Sequence, residues 1–110
     1  MNDRELRIGE NEVLYREVNE RVSDLSDQFG ITVETIDFVC ECGRLDCSEP
    51  IRLTAAEYAH VREDGATFAI KPGHQFPEAE TVVEEHENYF VVHKHEDGPA
   101  QFARSEDPRS

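Results

Sequence analysis

Residues 38–47 of the chain have the sequence Phe-Val-Cys-Glu-Cys-Gly-Arg-Leu-Asp-Cys, which contains all three cysteines, Cys40, Cys42 and Cys47. Thiolates are preferred zinc ligands, and structural zinc takes four ligands in a tetrahedron. The cluster therefore predicts most of a metal site, with Zn2+ as the cofactor. An odd number of cysteines cannot all pair within one chain, which favours metal over disulfides in a reducing compartment. Alternatively, the three are small core residues with free thiols.

The fourth ligand must come from elsewhere, and we predict His74. It follows the Pro72-Gly73 pair, which is typical of a rigid type II turn that presents a side chain at little entropic cost. Asp46 or Glu41 could replace it, and His74 could instead be a solvated turn residue. An iron–sulfur cluster usually takes four cysteines, one more than the chain has. The predicted site is Cys40, Cys42, Cys47 and His74.

The spacing of the first two cysteines places a condition on the backbone. On a flat strand Cys40 and Cys42 would point the same way, about 7 Å apart. Two ligands of one zinc ion lie about 3.5–4 Å apart. We therefore expect the chain to curl at residues 41–43, where Gly43 permits the bend.

Three further histidines, His86, His93 and His95, fall close together near the end of the chain. We predict that they belong to a solvated strand face, because acids surround them. A second metal site or a pH-responsive patch is the alternative.

The pattern of the whole chain predicts a single α+β domain over residues 1–95, followed by a flexible polar tail over 96–110. Thr54 and Glu57 form a capping box that begins a short helix. The other elements are a long N-terminal helix, a small mostly antiparallel sheet and a hairpin stapled by zinc. Their predicted ranges are a helix over 3–29, strands over 31–42 and 51–53, a helix over 55–63, and strands over 67–70, 81–85 and 89–94.

The N-terminal helix carries a heptad stripe. Ile8, Tyr15, Val22 and Phe29 take position a, and Asn11, Val18 and Leu25 take position d. We expect this stripe to cover the sheet of its own domain, and Leu14 widens it beyond a strict seam. The alternative is a homodimer through paired N-terminal helices.

The chain of 110 residues has a formal charge of −14. That charge argues against direct binding of nucleic acid or of anionic membranes, because both bind through Lys and Arg. It is compatible with a basic protein partner. No apolar run reaches the ~18 residues of a membrane helix, and no signal peptide is expected, so we predict a cytoplasmic protein.

These observations favour a protein-interaction or regulatory module with a structural zinc site over an enzyme. The alternatives are a zinc-dependent hydrolytic enzyme with an open metal position, and an acidic mimic of nucleic acid that binds a basic partner. The H-E-x-x-H and H-x-E with P-C-x-x-C signatures of zinc enzymes are absent from the sequence.

Several motifs together resemble a group of small uncharacterised bacterial proteins. They are Phe38-Val-Cys-Glu-Cys, Cys47, Ile51-Arg-Leu-Thr-Ala-Ala-Glu-Tyr58, Val61-Arg62, Pro72-Gly-His74, Val82-Val-Glu84 and Tyr89-Phe-Val-Val92. The resemblance spans residues 16–94 and implies no activity. It supports grouping the three cysteines with His74.

Overall fold

The computed structural model describes residues 1–30, 34–47 and 49–109. These residues confirm the predicted α+β class and the long N-terminal helix. No helix among them is long and apolar enough to cross a membrane. In chain order the elements are α1 (Asp3–Gln28), β1 (Ile36–Val39), β2 (Pro50–Leu53), α2 (Ala55–Val61), β3 (Thr67–Ile70), β4 (Glu80–Glu85), β5 (Phe90–Lys94) and α3 (Pro99–Ser105).

The strands form two small antiparallel sheets rather than one. Strands β1 and β2 pair as a hairpin, with Ile36 opposite Leu53. The other sheet has the order β3-β5-β4. A backbone hydrogen bond of 2.8 Å from Glu41 N–H to the Ala69 carbonyl links the two sheets. The sheets are separate because the chain leaves strand geometry after Val39, at the cysteines.

The predicted strand over 31–42 is shorter in the structure, and its part at Ile31–Val33 lies outside the described residues. Strand β1 ends at Val39, so Cys40 and Cys42 lie beyond it. The chain turns out of the strand as the ligand spacing requires.

The capping box of helix α2 is confirmed. Thr54 N–H donates to the Glu57 carboxylate at 2.8 Å, and Glu57 N–H donates to the Thr54 hydroxyl at 3.1 Å. The flanking residues Leu53 and Tyr58 are both fully buried. The local signal was sufficient here because both partners lie within four residues.

Helix α1 turns a polar face toward the core. The Arg16 guanidinium is fully buried, and it donates to the carbonyls of Gly65 at 2.7 Å and Ala103 at 2.9 Å. Buried polar groups need such partners, because an unpaired one loses its hydration without compensation. The buried residues of the helix are Ile8, Gly9, Glu12, Arg16, Asn19, Ser23 and Ser26.

The expectation that the apolar stripe of α1 covers the sheet is therefore wrong for most of its length. Ile8 is buried, and Val22 packs partly against the core. Leu14, Val18, Leu25 and Phe29 remain exposed by 53%, 43%, 53% and 76%. The physical reason is that backbone carbonyls and charged side chains of the body face the helix, and only polar side chains can satisfy them.

The prediction of a flexible tail from residue 96 onward is also wrong. Helix α3 packs on α1, and its Ala100 and Ala103 are buried. The Phe102 ring lies against Gly9, where an added Cβ would meet it at 3.0 Å. Gly98 and Pro99 are residue types common in turns, but here they begin a short helix.

A buried charge cluster joins α1 to the three-stranded sheet. Lys94 Nζ lies 2.7 Å from Glu12 Oε1 and 3.0 Å from Glu80 Oε1. Burial raises the pKa of Glu12 well above its ordinary value of 4.5, and the neighbouring Glu80 carboxylate raises it further. The Lys94 ammonium opposes this rise without cancelling it, so Glu12 keeps its proton to a higher pH than an ordinary glutamate does.

We predict that Glu12→Gln, which mimics neutral Glu12, increasingly stabilises the protein relative to the parent chain as pH rises above about 4.5. The unfolded state ionises at its ordinary pKa, while the folded state keeps the proton on Glu12 to a higher pH. Parent-chain stability therefore falls as pH rises from the unfolded value through the raised folded pKa. The difference in the free energy of unfolding between Glu12→Gln and the parent chain should reach at least ~1 kcal/mol by neutral pH, measured by urea unfolding at a series of pH values. Glu10→Gln on the exposed face should give no such trend, and a Glu12→Gln curve parallel to the parent curve would contradict the assignment.

Candidate metal centre

Cys40, Cys42, Cys47 and His74 meet at one point between the β1–β2 hairpin and the turn after β3. Their ligand atoms all lie within 4.8 Å of one another. The three cysteines are buried and have free thiols, while His74 is half-buried. The structure thus brings together the four residues that the sequence predicts, although His74 is 27 residues from the nearest cysteine in the chain.

The separations suit a tetrahedral ion. His74 Nδ1 lies 3.7 Å from Cys40 Sγ and 3.6 Å from Cys47 Sγ. An ion with metal–sulfur bonds near 2.3 Å and metal–nitrogen bonds near 2.0–2.1 Å holds sulfur and nitrogen about 3.6 Å apart. The side chains need little movement to coordinate a single ion.

The turn after β3 positions His74 as the sequence predicts. His74 N–H donates to the Lys71 carbonyl at 3.0 Å, which closes a four-residue turn. Gly73 has φ of 89° at the third position of that turn, where a type II turn requires a positive φ. Lys71 N–H also donates to Cys40 Sγ at 3.0 Å, so the same turn holds one sulfur and the histidine.

Each of the three sulfurs accepts a hydrogen bond from a backbone N–H group. The donors are Lys71 for Cys40, Arg44 for Cys42 and Glu49 for Cys47. Such donors stabilise thiolates, the form in which cysteine binds metal. These hydrogen bonds favour a metal-binding cluster over the alternative of three inert thiols in the core.

The sulfurs are too close together to ionise independently. The hydrogen bond from Cys40 lowers the pKa of Cys42 to about 5, against the opposing effect of burial. The same bond, together with burial, raises the pKa of Cys40, and burial raises the pKa of Cys47. Without a cation the cluster accommodates one thiolate readily and opposes the others. A bound divalent ion supplies the charge that three thiolates require.

Glu41, between the first two cysteines, points away from the cluster and into the core. Its carboxylate accepts hydrogen bonds from Tyr58 at 2.6 Å, Asn19 at 2.9 Å and the Ala69 N–H at 2.9 Å. Burial raises the pKa of this carboxyl, and these three hydrogen bonds oppose the rise. Glu41 therefore is not a candidate ligand; it anchors the backbone that carries Cys40 and Cys42.

Helix α1 holds the other side of the cysteine loop through a ridge of polar side chains four residues apart. Asn11 donates to the Gly43 carbonyl at 2.9 Å, and Tyr15 donates to the Leu45 carbonyl at 2.6 Å. Asn19 donates to the Val39 carbonyl and accepts from the Val39 N–H, both at 2.8 Å. The helix thereby satisfies carbonyls that the irregular loop leaves unpaired.

Gly43 serves a different purpose from the one expected. It is not among the described residues with positive φ. A Cβ at this position would lie 2.5 Å from Ile8 Cγ2 and 3.1 Å from Ile8 Cα. Glycine is thus required for the close approach of the cysteine loop to α1.

The remaining histidines pair with acids or polar groups instead of joining the cluster. His86 and His60 both contact the Glu84 carboxylate, at 2.8 Å and 2.9 Å. His93 contacts Asp64 at 3.2 Å, and His95 contacts the Thr81 hydroxyl at 3.3 Å. Among the described residues, the cysteine cluster is the single group with metal-ligand spacing.

The supporting roles of Asn19, Glu41 and Tyr58 were not predicted from the sequence. Glu41 alternates with the cysteines along the predicted strand and shares its side with Asp37 and Val39, so the sequence does not show that its carboxylate is buried. The i, i+4 spacing of Asn11, Tyr15 and Asn19 was a usable signal, because it puts three hydrogen-bonding side chains on one ridge.

Comparison of the chain with protein families, with curated proteins and with solved structures finds no match in any of the three. The resemblance to small bacterial proteins therefore stays a prediction, and the site has to be interpreted from its own geometry.

We predict that Glu41→Gln lowers the free energy of unfolding of the metal-loaded protein by about 1–3 kcal/mol. All three partners of Glu41 donate, so an amide NH2 group would face a donor where the carboxylate offers an acceptor. Glu87→Gln, in an exposed turn, makes the same chemical change and should cost less than about 0.5 kcal/mol. Equal urea-unfolding curves for the two variants would show that the buried carboxylate is not an anchor.

Proposed function

We propose that this protein is a small protein-interaction or regulatory module whose fold is fixed by one structural zinc ion. The ion is held by Cys40, Cys42, Cys47 and His74. The observation that carries the proposal is the convergence of four ligand atoms within 4.8 Å, three of them on buried cysteines. Four protein ligands complete a tetrahedral site, and such closed sites are structural.

The chemistry of the donor set supports zinc over other divalent ions. Thiolate with imidazole in a tetrahedron suits zinc, whereas calcium and magnesium prefer oxygen ligands. The free thiols also fit a reducing compartment, so we propose a cytoplasmic location.

The same geometry disfavours the hydrolytic alternative. A catalytic zinc ion keeps one position for water or substrate, and three protein ligands then suffice. Three thiolates also reduce the Lewis acidity of the ion, because their negative charges offset its own. The nearest buried acid, Glu41, is committed to three hydrogen bonds in the core and is not free to act on a bound water.

Interaction is supported by the surface of helix α1. Soluble monomers rarely expose contiguous apolar surface without a use for it. Leu14, Val18, Leu25 and Phe29 leave such a stripe open to solvent.

We predict that the purified protein contains one zinc ion per chain and that chelation abolishes cooperative thermal unfolding. The binding energy of a structural zinc ion is folding energy, so its removal unfolds the domain. Elemental analysis and circular dichroism with and without chelator measure both effects. A Co2+-substituted sample should show the absorption of a tetrahedral thiolate site. Metal-free protein with an unchanged melt in chelator would overturn the proposal, and a removable ion with an exchangeable water would indicate the enzyme instead.

We predict that Cys42→Ser loses the metal and that His74→Ala lowers metal affinity by at least about 100-fold. Outer-sphere partners already contribute about 10–100-fold, and a direct ligand contributes more. The matched control is His86→Ala, which removes an exposed histidine that lies outside the cluster. Competition with a chromophoric chelator gives the affinities. Full zinc affinity in His74→Ala would exclude His74 as the fourth ligand.

A further inference from the structure

A cationic groove lies between the first turns of α1, the cysteine loop and the connection that follows His74. Its volume is about 270 Å³, and Arg4, Arg7, Leu45 and Phe76 are among the residues that line it. None of the described residues that line it is an acid, although the chain has 25 acids and only 11 basic residues. Positive charge is therefore concentrated in this groove, against the composition of the whole chain.

Two arginines lie against the ring of Phe76, and a third lines the groove beside it. The Cζ atom of Arg4 lies 5.7 Å from the ring centroid, and the Cζ atom of Arg44 lies 5.8 Å from it. Both distances are within the range of a cation–π contact. Arg7 lines the groove about one helical turn beyond Arg4. Arginines of α1 and of the cysteine loop, which are far apart in the chain, thus meet at one aromatic side chain.

The walls of the groove are held in place by hydrogen bonds. Phe76 N–H donates to the Glu80 carboxylate at 3.1 Å, and the Phe76 carbonyl accepts from the Ala79 N–H at 2.9 Å. Glu80 is itself buried. On the opposite wall, Asn11 donates to the Gly43 carbonyl at 2.9 Å and so joins the helix to the cysteine loop. A preformed groove loses little conformational freedom when a ligand binds.

The ion pairs of the three arginines distinguish this groove from an ordinary charged surface. Arg4 Nε lies 2.9 Å from Glu78 Oε2, in a pair that is largely exposed. In the part of the chain that the structure describes, no carboxylate lies within ion-pair distance of Arg7 or Arg44. Like charges around one groove repel each other, and an anion bound between them reverses the sign of that interaction. Two unpaired arginines in a chain with a large excess of acids therefore indicate an anionic ligand.

We propose that this groove binds a phosphate group, either of a small organic molecule or as the free ion. The planar guanidinium fork matches phosphate oxygens in pairs. A phosphate group carries close to two negative charges at neutral pH, whereas a carboxylate carries one, so several arginines favour phosphate. The volume lies just below the range of about 300–1,000 Å³ that is typical of ligand pockets, which suits a small molecule. The proposal goes beyond the structural zinc site and uses none of its four ligands.

The net charge of the chain is compatible with this ligand. The formal charge of −14 repels an anion at long range. At physiological salt, exposed charges separated by more than about 8 Å are largely screened. Direct contacts with the guanidiniums are screened much less, so the charges inside the groove decide whether the anion binds.

The test is calorimetric titration of the chain as purified with phenyl phosphate, inorganic phosphate and benzoate, all at the same ionic strength. We expect phenyl phosphate to bind with a Kd below about 1 mM and benzoate to bind at least about 10-fold more weakly. Tighter binding of phenyl phosphate than of inorganic phosphate would support an organic phosphate, and equal binding would support the free ion. Benzoate that binds as tightly as phenyl phosphate, or no binding of either phosphate below about 10 mM, would overturn the proposal.

Replacement of the unpaired arginines tests the position of the site. Arg7→Gln and Arg44→Gln should each weaken phenyl phosphate binding at least about 10-fold, because each removes a charged donor. Arg7→Lys keeps the charge but removes the planar fork, so it should also weaken binding. The matched control is Arg21→Gln, which makes the same change at an exposed residue of α1 outside the groove. Binding that survives the Arg7→Gln, Arg44→Gln double variant, or an equal loss in Arg21→Gln, would reject the groove as the site.

The metal content of every sample separates this proposal from the proposed function. Each arginine variant should keep the metal content and the circular dichroism spectrum of the parent chain. A parent chain that holds zinc and binds no phosphate would reject the phosphate site and leave the structural zinc site standing. Conversely, a folded chain without metal that binds phosphate through Arg7 would reject the zinc site and leave the phosphate site standing.

Discussion

The buried carboxylate of Glu41 is the contact on which the site depends. It joins helix α1 through Asn19, helix α2 through Tyr58 and strand β3 through the Ala69 N–H. Removing an acid from water is costly, and three hydrogen bonds offset that cost only if all three donors stay in place. The backbone on either side is therefore fixed, and that backbone carries Cys40 and Cys42. The geometry of the metal centre thus follows from a polar core contact as much as from the ligands.

The same constraint explains why α1 is an unusual surface helix. The cysteine loop has no regular strand structure, so some of its backbone carbonyls have no partner within the loop. A helix packed on the loop must supply the donors. Asn11 and Tyr15 do so at Gly43 and Leu45, and Arg16 does the same for the Gly65 carbonyl outside that loop. Since polar, hydrogen-bonding side chains occupy most of the buried face of the helix, most of its apolar residues lie on the exposed face. The exposed stripe is therefore a consequence of how the metal loop is supported.

Local signals in the sequence predicted much of the structure. The capping box at Thr54, the Pro72-Gly73 turn and the strand at 67–70 depend on residues close together in the chain, and all three are confirmed. The four site residues could be grouped from the sequence because a tetrahedral metal ion requires four ligands close together. The polar face of α1 could not be predicted, because hydrophobic periodicity assumes that the core side is apolar. Helix α3 was missed because the backbone of Gly98 and the packing of Ala103 against α1 are tertiary effects.

Two faces of helix α1 thus have different roles. The face centred on Asn19 holds the loop that carries the ligands, and the stripe beside it stays open. Because the stripe makes few contacts within its own domain, charged substitutions there should alter association while leaving metal affinity unchanged. Because Asn19 contacts both Val39 and Glu41, substitutions on its face should alter metal affinity and stability together. Helical geometry sets Leu14, Val18 and Leu25 about a third of a turn from Asn19, so substitutions at these three positions leave the contacts of Asn19 in place.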